Sequence, residues 1–348
     1  MLVPMGYGAN VDAVIGRLSR LLHVRSTDVD TSADLGPYLD VPVDVLLPAP
    51  RTIPIVQRTP PRLSVGNRVT ETLSFRSAHV PLSDRYRVRH EGPYAKNLTA
   101  YARWMHPRGK RRRSILVHVH GWLEPGSWVE EATLLPLFDR TLDVDVAHVQ
   151  LPFHGRRSPR GQLFHGEWFW TADLVRSLEG VRQAVIDVRS FVSFLRAFGY
   201  EEVGVTGLSL GGCIAMLLAC VSDPPDYLVP MIAHLELADA IEEAPILWRM
   251  KSDLERFGLG VERRHEIFSR LALTTAMPLM AGDKQLWVAA EEDGYLKADL
   301  VRKQWERWER PGILWVPGGH MTFPLGLPAT IARMKALPRL AGPAMCAV

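Results

Sequence analysis

Six residues, Gly207-Leu208-Ser209-Leu210-Gly211-Gly212, constrain this chain more than any other stretch. They follow Val203-Gly204-Val205-Thr206, a short run of buried-strand character. Residues 213–221 continue them as a small-to-large apolar run of helical character. A strand that gives way to a helix within one tight turn needs residues without a Cβ at the closest points, and glycine supplies them. Such a turn lifts the central serine hydroxyl out of the sheet. The helix start behind it leaves backbone N–H groups free to meet a developing anion. Strand, G-x-S-x-G turn and helix together are the context in which a serine is presented as a nucleophile.

The rest of the chain builds a sheet around that junction. Residues 115–119, 143–150, 228–237, 285–290 and 312–316 are predicted strands. Residues 130–140, 300–308 and 331–337 are predicted helices. The clearest helix follows Thr171, a candidate N-cap, and carries Val181, Ala184, Val185, Val188, Phe191, Val192 and Leu195 on one face until Gly199 stops it. Strands alternating with helices predict a mostly parallel sheet with helices on both faces. Residues 69–80, 85–90 and 98–106 read as strands of an antiparallel start. Residues 240–275 read as a small helical cap, with Leu247, Met250, Leu254 and Phe257 on one stripe. The apolar content of 47% against 23% charged residues supports a sizeable core.

The division expected is an N-terminal part, residues 1–68, and a main domain, residues 69–348. Val11, Val14, Ile15, Leu18, Leu21 and Leu22 recur at helical spacing after Asn10. That helix is expected to dock on the main domain or a second subunit. Arg17, Arg20 and Arg25 leave a membrane-surface helix as the alternative. Prolines 37, 42, 48, 50, 54, 60 and 61 exclude continuous helix, so residues 37–65 are expected to wrap the domain as an extended arm.

Charge and cysteine content exclude several classes. A net charge of +3 does not argue for nucleic acid. The cluster Arg108-Gly109-Lys110-Arg111-Arg112-Arg113 lacks interleaved aromatics and reads as a solvated hairpin loop. Cys213, Cys220 and Cys346 form neither a disulfide framework nor a metal spacing. No basic-then-apolar leader and no apolar run of transmembrane length is present, so a cytoplasmic location is expected. Nothing in the sequence sets the oligomeric state.

Ligands of such sheets bind beyond the carboxyl ends of the strands. His120, Ser209, the acids at 291–293 and His320 all fall there. Serine needs a base within hydrogen-bond reach, and histidine suits that role near neutral pH. His320 lies in Val316-Pro317-Gly318-Gly319-His320-Met321-Thr322, a loop able to turn the imidazole over the strand ends. The base needs an orienting carboxylate. Asp293 is the first choice because Gly294 follows it, with Glu291 and Glu292, then Glu236 and Asp239, as alternatives. The backbone N–H groups of Leu210 and Trp122 are the candidate oxyanion donors. His118 and His120 form an H-x-H pair, but no further ligand set of suitable spacing accompanies it, so no metal is expected.

On these residues the chain resembles the α/β-hydrolase fold superfamily, in particular its serine esterases and lipases. The resemblance rests on His120-Gly121 after one strand, the Gly207–Gly212 turn, Asp293 after a later strand and Gly319-His320 after the last. The order serine, acid, histidine is the family's order. It covers roughly residues 70–340 and implies a serine hydrolase that acts through an acyl-enzyme without a cofactor. It implies action on an ester, thioester or amide, and a small-molecule or lipid ester is the substrate expected. His-Gly-Trp at residues 120–122 departs from the His-Gly-Gly-Gly of many relatives. His120, Gly121, His154, Arg156 and Trp168 are candidates for bordering the substrate. Phe164, Phe169 and Trp170 could join Trp168 in an apolar wall, and Arg156, Arg157 and Arg160 could meet an anionic group. Acyl transfer by the same three residues and a non-catalytic binding protein on the same fold are the rival readings.

Overall fold

The computed structural model describes residues 6–22, 27, 29–39, 41–59, 64–65, 68–109, 111–124 and 128–337. Ten strands among these residues form one sheet. They are β1 (Gln57–Thr59), β2 (Ser64–Val65), β3 (Arg68–Arg76), β4 (Thr99–Pro107), β5 (Ser114–Val119), β6 (Asp145–Val149), β7 (Glu202–Leu208), β8 (Tyr227–Met231), β9 (Leu286–Ala290) and β10 (Gly312–Val316). Their order is β1-β3-β4-β6-β5-β7-β8-β9-β10, with β2 on β3. From β6 to β10 every neighbour is parallel. The pairs among β1 to β4, and β4 on β6, are antiparallel. Every residue of β5, β6, β8 and β9 is buried, as a parallel sheet covered on both faces requires. The fold is therefore the α/β architecture expected, a mostly parallel sheet between helices.

Four local readings differ. Residues 85–90 belong to a helix, Asp84–Glu91, not a strand. Charged and apolar residues alternate there, but the buried pair is Tyr86 and His90, four apart and stacked at 5.8 Å. Ser83 caps the helix by accepting from the Tyr86 N–H. Second, β8 stops at Met231 and a helix, Leu237–Glu243, follows, with Glu236 as its cap. Third, Asp173 rather than Thr171 caps the long helix, Leu174–Ala197. Fourth, the basic cluster is not a hairpin loop, because β6 lies between β4 and β5. Arg112 donates to Asp139 at 2.7 Å and Arg111 stands 4.1 Å over the Phe198 ring. Lys110 lies outside the described residues.

The long helix buries polar as well as apolar faces. Its apolar stripe meets the core. Its other side is covered by the segment before β1. Val175 N–H donates to Thr31 Oγ1 at 3.2 Å, and Arg182 Nε donates to the Leu46 carbonyl at 2.8 Å. Burial of charge is tolerated because each group has a partner. Arg157 pairs with Asp187 at 2.8 Å. Glu179 meets His79 at 2.6 Å and also Arg182 and the Tyr38 hydroxyl. Burial alone would raise the Glu179 carboxyl, but these partners outweigh it and hold it at about 2.

The N-terminal helix, Tyr7–Ser19, is present, but its apolar stripe is not its docked face. Val14, Leu18 and Leu21 are 54%, 60% and 80% exposed, whereas Gly8, Asp12 and Gly16 are buried. Three helices, Leu237–Glu243, Trp248–Arg256 and Val261–Phe268, make up the insert after β8. No helix among the described residues is long and apolar enough to cross a membrane.

Candidate active site

The turn after β7 forces Ser209 to φ 54° and ψ −112°, a conformation a non-glycine residue adopts only when its surroundings fix it. Close packing does the fixing. A Cβ on Gly207 would lie 2.1 Å from the Gly211 carbonyl oxygen, and one on Gly211 would lie 2.0 Å from that of Val119. The Ser209 N–H donates to the Met231 carbonyl at 2.9 Å, which ties the turn to β8. The next helix, Leu210–Ala219, begins directly behind the hydroxyl.

His320, from the loop after β10, brings Nε2 to 2.9 Å from Ser209 Oγ. Its Nδ1 lies 2.9 Å from Asp293 Oδ2, on the loop after β9. Asp293 Oδ1 accepts from the N–H groups of Tyr295 and Leu296 at 2.9 and 2.8 Å. Its side chain is 1% exposed, and that of His320 is 11% exposed. The other acids are engaged elsewhere or turned away. Glu291 is exposed. Glu292 accepts from the Gly6 and Gly8 N–H groups at 2.6 and 2.7 Å. Glu236 accepts from Thr274 Oγ1 at 2.7 Å, and Asp239 faces His265 at 3.1 Å.

Ser209 and His320 open on a cavity of about 460 Å³, within the range of small-molecule sites. Gly121, Trp122, Leu210, Trp170, Leu237, Ala240, Ile246 and Leu247 are among its walls. A Cβ on Gly121 would sit 3.7 Å from that of Ser209, so the backbone of residues 121–122 passes beside the nucleophile. Leu210 opens its helix, so its N–H has no carbonyl one turn below to bond.

Several expected border residues are elsewhere. His120 is buried and not at the cavity wall. Its Nε2 accepts from the Leu151 N–H at 2.9 Å and its Nδ1 donates to the Gly121 carbonyl at 2.7 Å. Burial, with His154 and His148 beside it, pushes its pKa well below the usual range, so it stays neutral and shapes the loop. His154 is also buried, donates to the Pro152 carbonyl at 2.8 Å and is pushed down to about 3 by burial. Trp168 packs edge-on against Tyr94 at 5.8 Å and under Arg176, and it is Trp170 that reaches the cavity. Arg156 stands over the Tyr101 ring. Arg157 is locked to Asp187. Among the described residues no arginine or lysine lines the cavity, whose carboxylates are Glu124 and Glu130, so the expected anion contact has no support there.

Two cavity residues had no motif to mark them. His234 sets its ring 5.5 Å from that of His320, tilted by 41°, and burial and His320 push it down to about 4. Tyr295 meets His320 edge-on at 5.2 Å, and burial pushes its hydroxyl up to about 12.

At the cavity wall, Glu130 belongs to a group that spacing could not reveal. His118 Nε2 donates to Glu130 Oε2 at 2.9 Å, and His148 Nε2 lies 3.1 Å from the same oxygen. Burial would raise the Glu130 carboxyl, but the two imidazoles outweigh it and hold it well below the usual range. The three side chains are close enough to chelate a cation. However, neither Nδ1 has a hydrogen-bond partner. Metal bound at Nε2 would turn both into buried N–H donors, whereas ligating imidazoles ordinarily donate that proton to an acceptor. The set fits a hydrogen-bonded carboxylate better than a metal centre.

Comparison with known structures agrees with this architecture. An acetyl xylan esterase from Paenibacillus sp. R4 superposes with a TM-score of 0.60 at 13% identity, over 92% of this chain and 98% of that one. Acetyl xylan esterase 1 from Thermoanaerobacterium sp. gives a TM-score of 0.54 at 14% identity, over 91% and 98%. The chain has the α/β-hydrolase fold. The family described as alpha/beta hydrolase domain containing 18 matches residues 97–241 of it, from the η-turn before β4 to the first helix of the insert. In sequence, the uncharacterized proteins MT2702 and Rv2627c of two Mycobacterium tuberculosis strains are each 31% identical over 191 residues. That match covers 52% of this chain and 43% of each relative, so the chain spans less than half of their length.

Proposed function

We propose that this α/β-hydrolase is a serine esterase that cleaves carboxylic esters of apolar acyl groups through an acyl-enzyme. The observation that carries the reading is the continuous chain Asp293–His320–Ser209, with both contacts at 2.9 Å, ending at an apolar cavity. Ser209 Oγ attacks the ester carbonyl carbon while His320 Nε2 takes its proton. Asp293 holds the ring in the tautomer that leaves Nε2 free and stabilises the imidazolium. The tetrahedral oxyanion is met by the N–H groups of Leu210 and Trp122. On collapse the C–O bond to the alcohol breaks, and His320 returns its proton to the departing oxygen. Water then attacks the acyl-enzyme with His320 again as base, releasing the acid and restoring Ser209. Among the described residues the cavity walls carry no arginine or lysine, which favours neutral or lipid-like substrates over anionic ones.

The test is turnover of p-nitrophenyl esters from acetate to octanoate by the wild type and Ser209→Ala. Turnover by the wild type and its loss in the variant is the expected result. Equal activity in both would remove Ser209 from the reaction.

A further inference from the structure

The N-terminal helix, Tyr7–Ser19, meets the two loops that carry Asp293 and His320, and it does so through an unusual face. Gly8, Asp12 and Gly16 fall four residues apart and form its buried stripe. A Cβ on Gly8 would lie 2.1 Å from the Gly319 N, and one on Gly16 would lie 2.9 Å from Pro245 Cγ and 3.1 Å from the Tyr295 hydroxyl. Between the glycines, the Asp12 carboxylate reaches into the loops. Oδ2 accepts from the Gly294 and His320 N–H groups at 2.8 and 2.7 Å, and Oδ1 accepts from the Met321 N–H at 2.8 Å. Gly294 follows Asp293 directly. One carboxylate, 3% exposed, thus ties the acid-bearing loop to the base-bearing loop through their backbones. Glu292 returns the contact by accepting from Gly6 and Gly8. The same helix supplies Ile15 and Ser19 to the cavity wall.

We infer that the N-terminal helix completes the active site, with Asp12 as the positioning residue that sets the spacing of Asp293 and His320. The inference rests on the esterase reading. Neither loop has a strand to hold it at these residues. The glycine contacts leave no room for slack, and three charge-assisted hydrogen bonds fix one backbone position on the acid loop, Gly294, and two on the base loop, His320 and Met321. Loss of the carboxylate frees the His320 and Gly294 N–H groups, and the loops drift relative to Ser209. A displacement on the order of 1 Å at a reacting group costs roughly a hundredfold in rate. Binding of the acyl chain depends on the cavity walls and changes less.

The experiment compares Asp12→Ala and Asp12→Asn with Val14→Ser, a substitution on the exposed face of the same helix, all in the full chain. Steady-state kinetics on p-nitrophenyl butyrate, fluorophosphonate labelling rates and hydrogen exchange of residues 292–296 and 316–323 are measured. Asp12→Ala is expected to lower kcat and the labelling rate about a hundredfold with KM within about threefold. Asp12→Asn, which keeps one acceptor oxygen, falls between it and the wild type. Val14→Ser changes neither rate. Exchange in both loops rises most in Asp12→Ala, less in Asp12→Asn, and stays at the wild-type level in Val14→Ser. Rates within twofold of wild type in folded Asp12→Ala, or a fall matched only by the unfolded fraction, would overturn the inference. If the wild type itself neither turns over nor labels, the esterase reading fails, and hydrogen exchange still decides whether Asp12 holds the loops.

Discussion

Asp293 with His320 and Glu130 with His118 are each a carboxylate and an imidazole at the same 2.9 Å separation. They differ in what the far ring nitrogen meets. His320 Nε2 faces Ser209 and a cavity. His118 Nδ1 is buried and meets nothing. A carboxylate that orients an imidazole is therefore not by itself a catalytic signature. The third partner and access decide, and the third partner here is a serine held at positive φ. Glu179 with His79 is a further such pair, with both side chains fully buried, and is shared with Arg182.

The largest expected effects separate the pair that meets a serine from the pairs that do not. Ser209→Ala and His320→Ala should each lower kcat/KM by about 10⁴-fold or more while the melting temperature stays within a few degrees. Glu130→Ala should do the reverse. It leaves two buried imidazoles without an acceptor and should cost about 3 kcal/mol in denaturant unfolding. Per folded molecule, its kcat should stay within tenfold of wild type. A Glu130→Ala protein of wild-type stability would show that the Glu130–His118 pair is not structural. A large loss of kcat in folded protein would move Glu130 into the chemistry.

The next effect is a pH window. The Glu179 carboxyl is held at about 2 in the folded chain against an unfolded value near that of a free glutamate, about 4.3. A depressed carboxyl stabilises the fold fully above its unfolded value and loses that contribution as pH falls toward 2. Unfolding free energies of wild type and Glu179→Gln should differ by a constant amount above about pH 5 and converge between about pH 4.3 and 2. Buried His154, held at about 3, acts over a higher window, because stability is lost as pH falls from about 6.5. A difference between Glu179→Gln and wild type that does not change with pH would deny Glu179 its charge in the fold.

What the sequence made legible follows from which signals are local. The turn at residues 207–212 could be read because glycine, serine and glycine must be adjacent to make it. His320 and the acid loop could be placed because each directly follows a strand of apolar residues, and β10 lies at residues 312–316 as read. The choice among Glu291, Glu292 and Asp293 needed geometry, since all three occupy one loop. Hydrophobic periodicity failed on the N-terminal helix because it presumes that apolar side chains mark the docked face. There the docked face is two glycines and an aspartate, and the only signal was the Gly8-x₃-Asp12-x₃-Gly16 spacing. The set His118, Glu130 and His148 comes from β5, a helix and β6, so no spacing encodes it.

The smallest expected effect tests which tryptophan belongs to the open site. Trp168 and Trp170 are two apart in a segment without regular structure, and composition alone favours neither. Trp170 is 5% exposed, packs on Phe169 and Phe268 and lines the cavity. Trp168 turns the other way, onto Tyr94 and Arg176. Removing an aromatic wall loses apolar contact in proportion to the length of the acyl chain that touched it, at about 0.8 kcal/mol per methylene at most. Trp170→Ala should therefore reduce the ratio of kcat/KM for p-nitrophenyl octanoate over acetate by about tenfold, with the acetate rate changed less. Trp168→Ala should leave that ratio within twofold and act on stability, because a half-buried ring and a cation–π contact are lost. Equal shifts of the ratio in both variants would mean that the acyl chain runs past Trp168, outside the cavity described, and the apolar-ester reading would need a different wall.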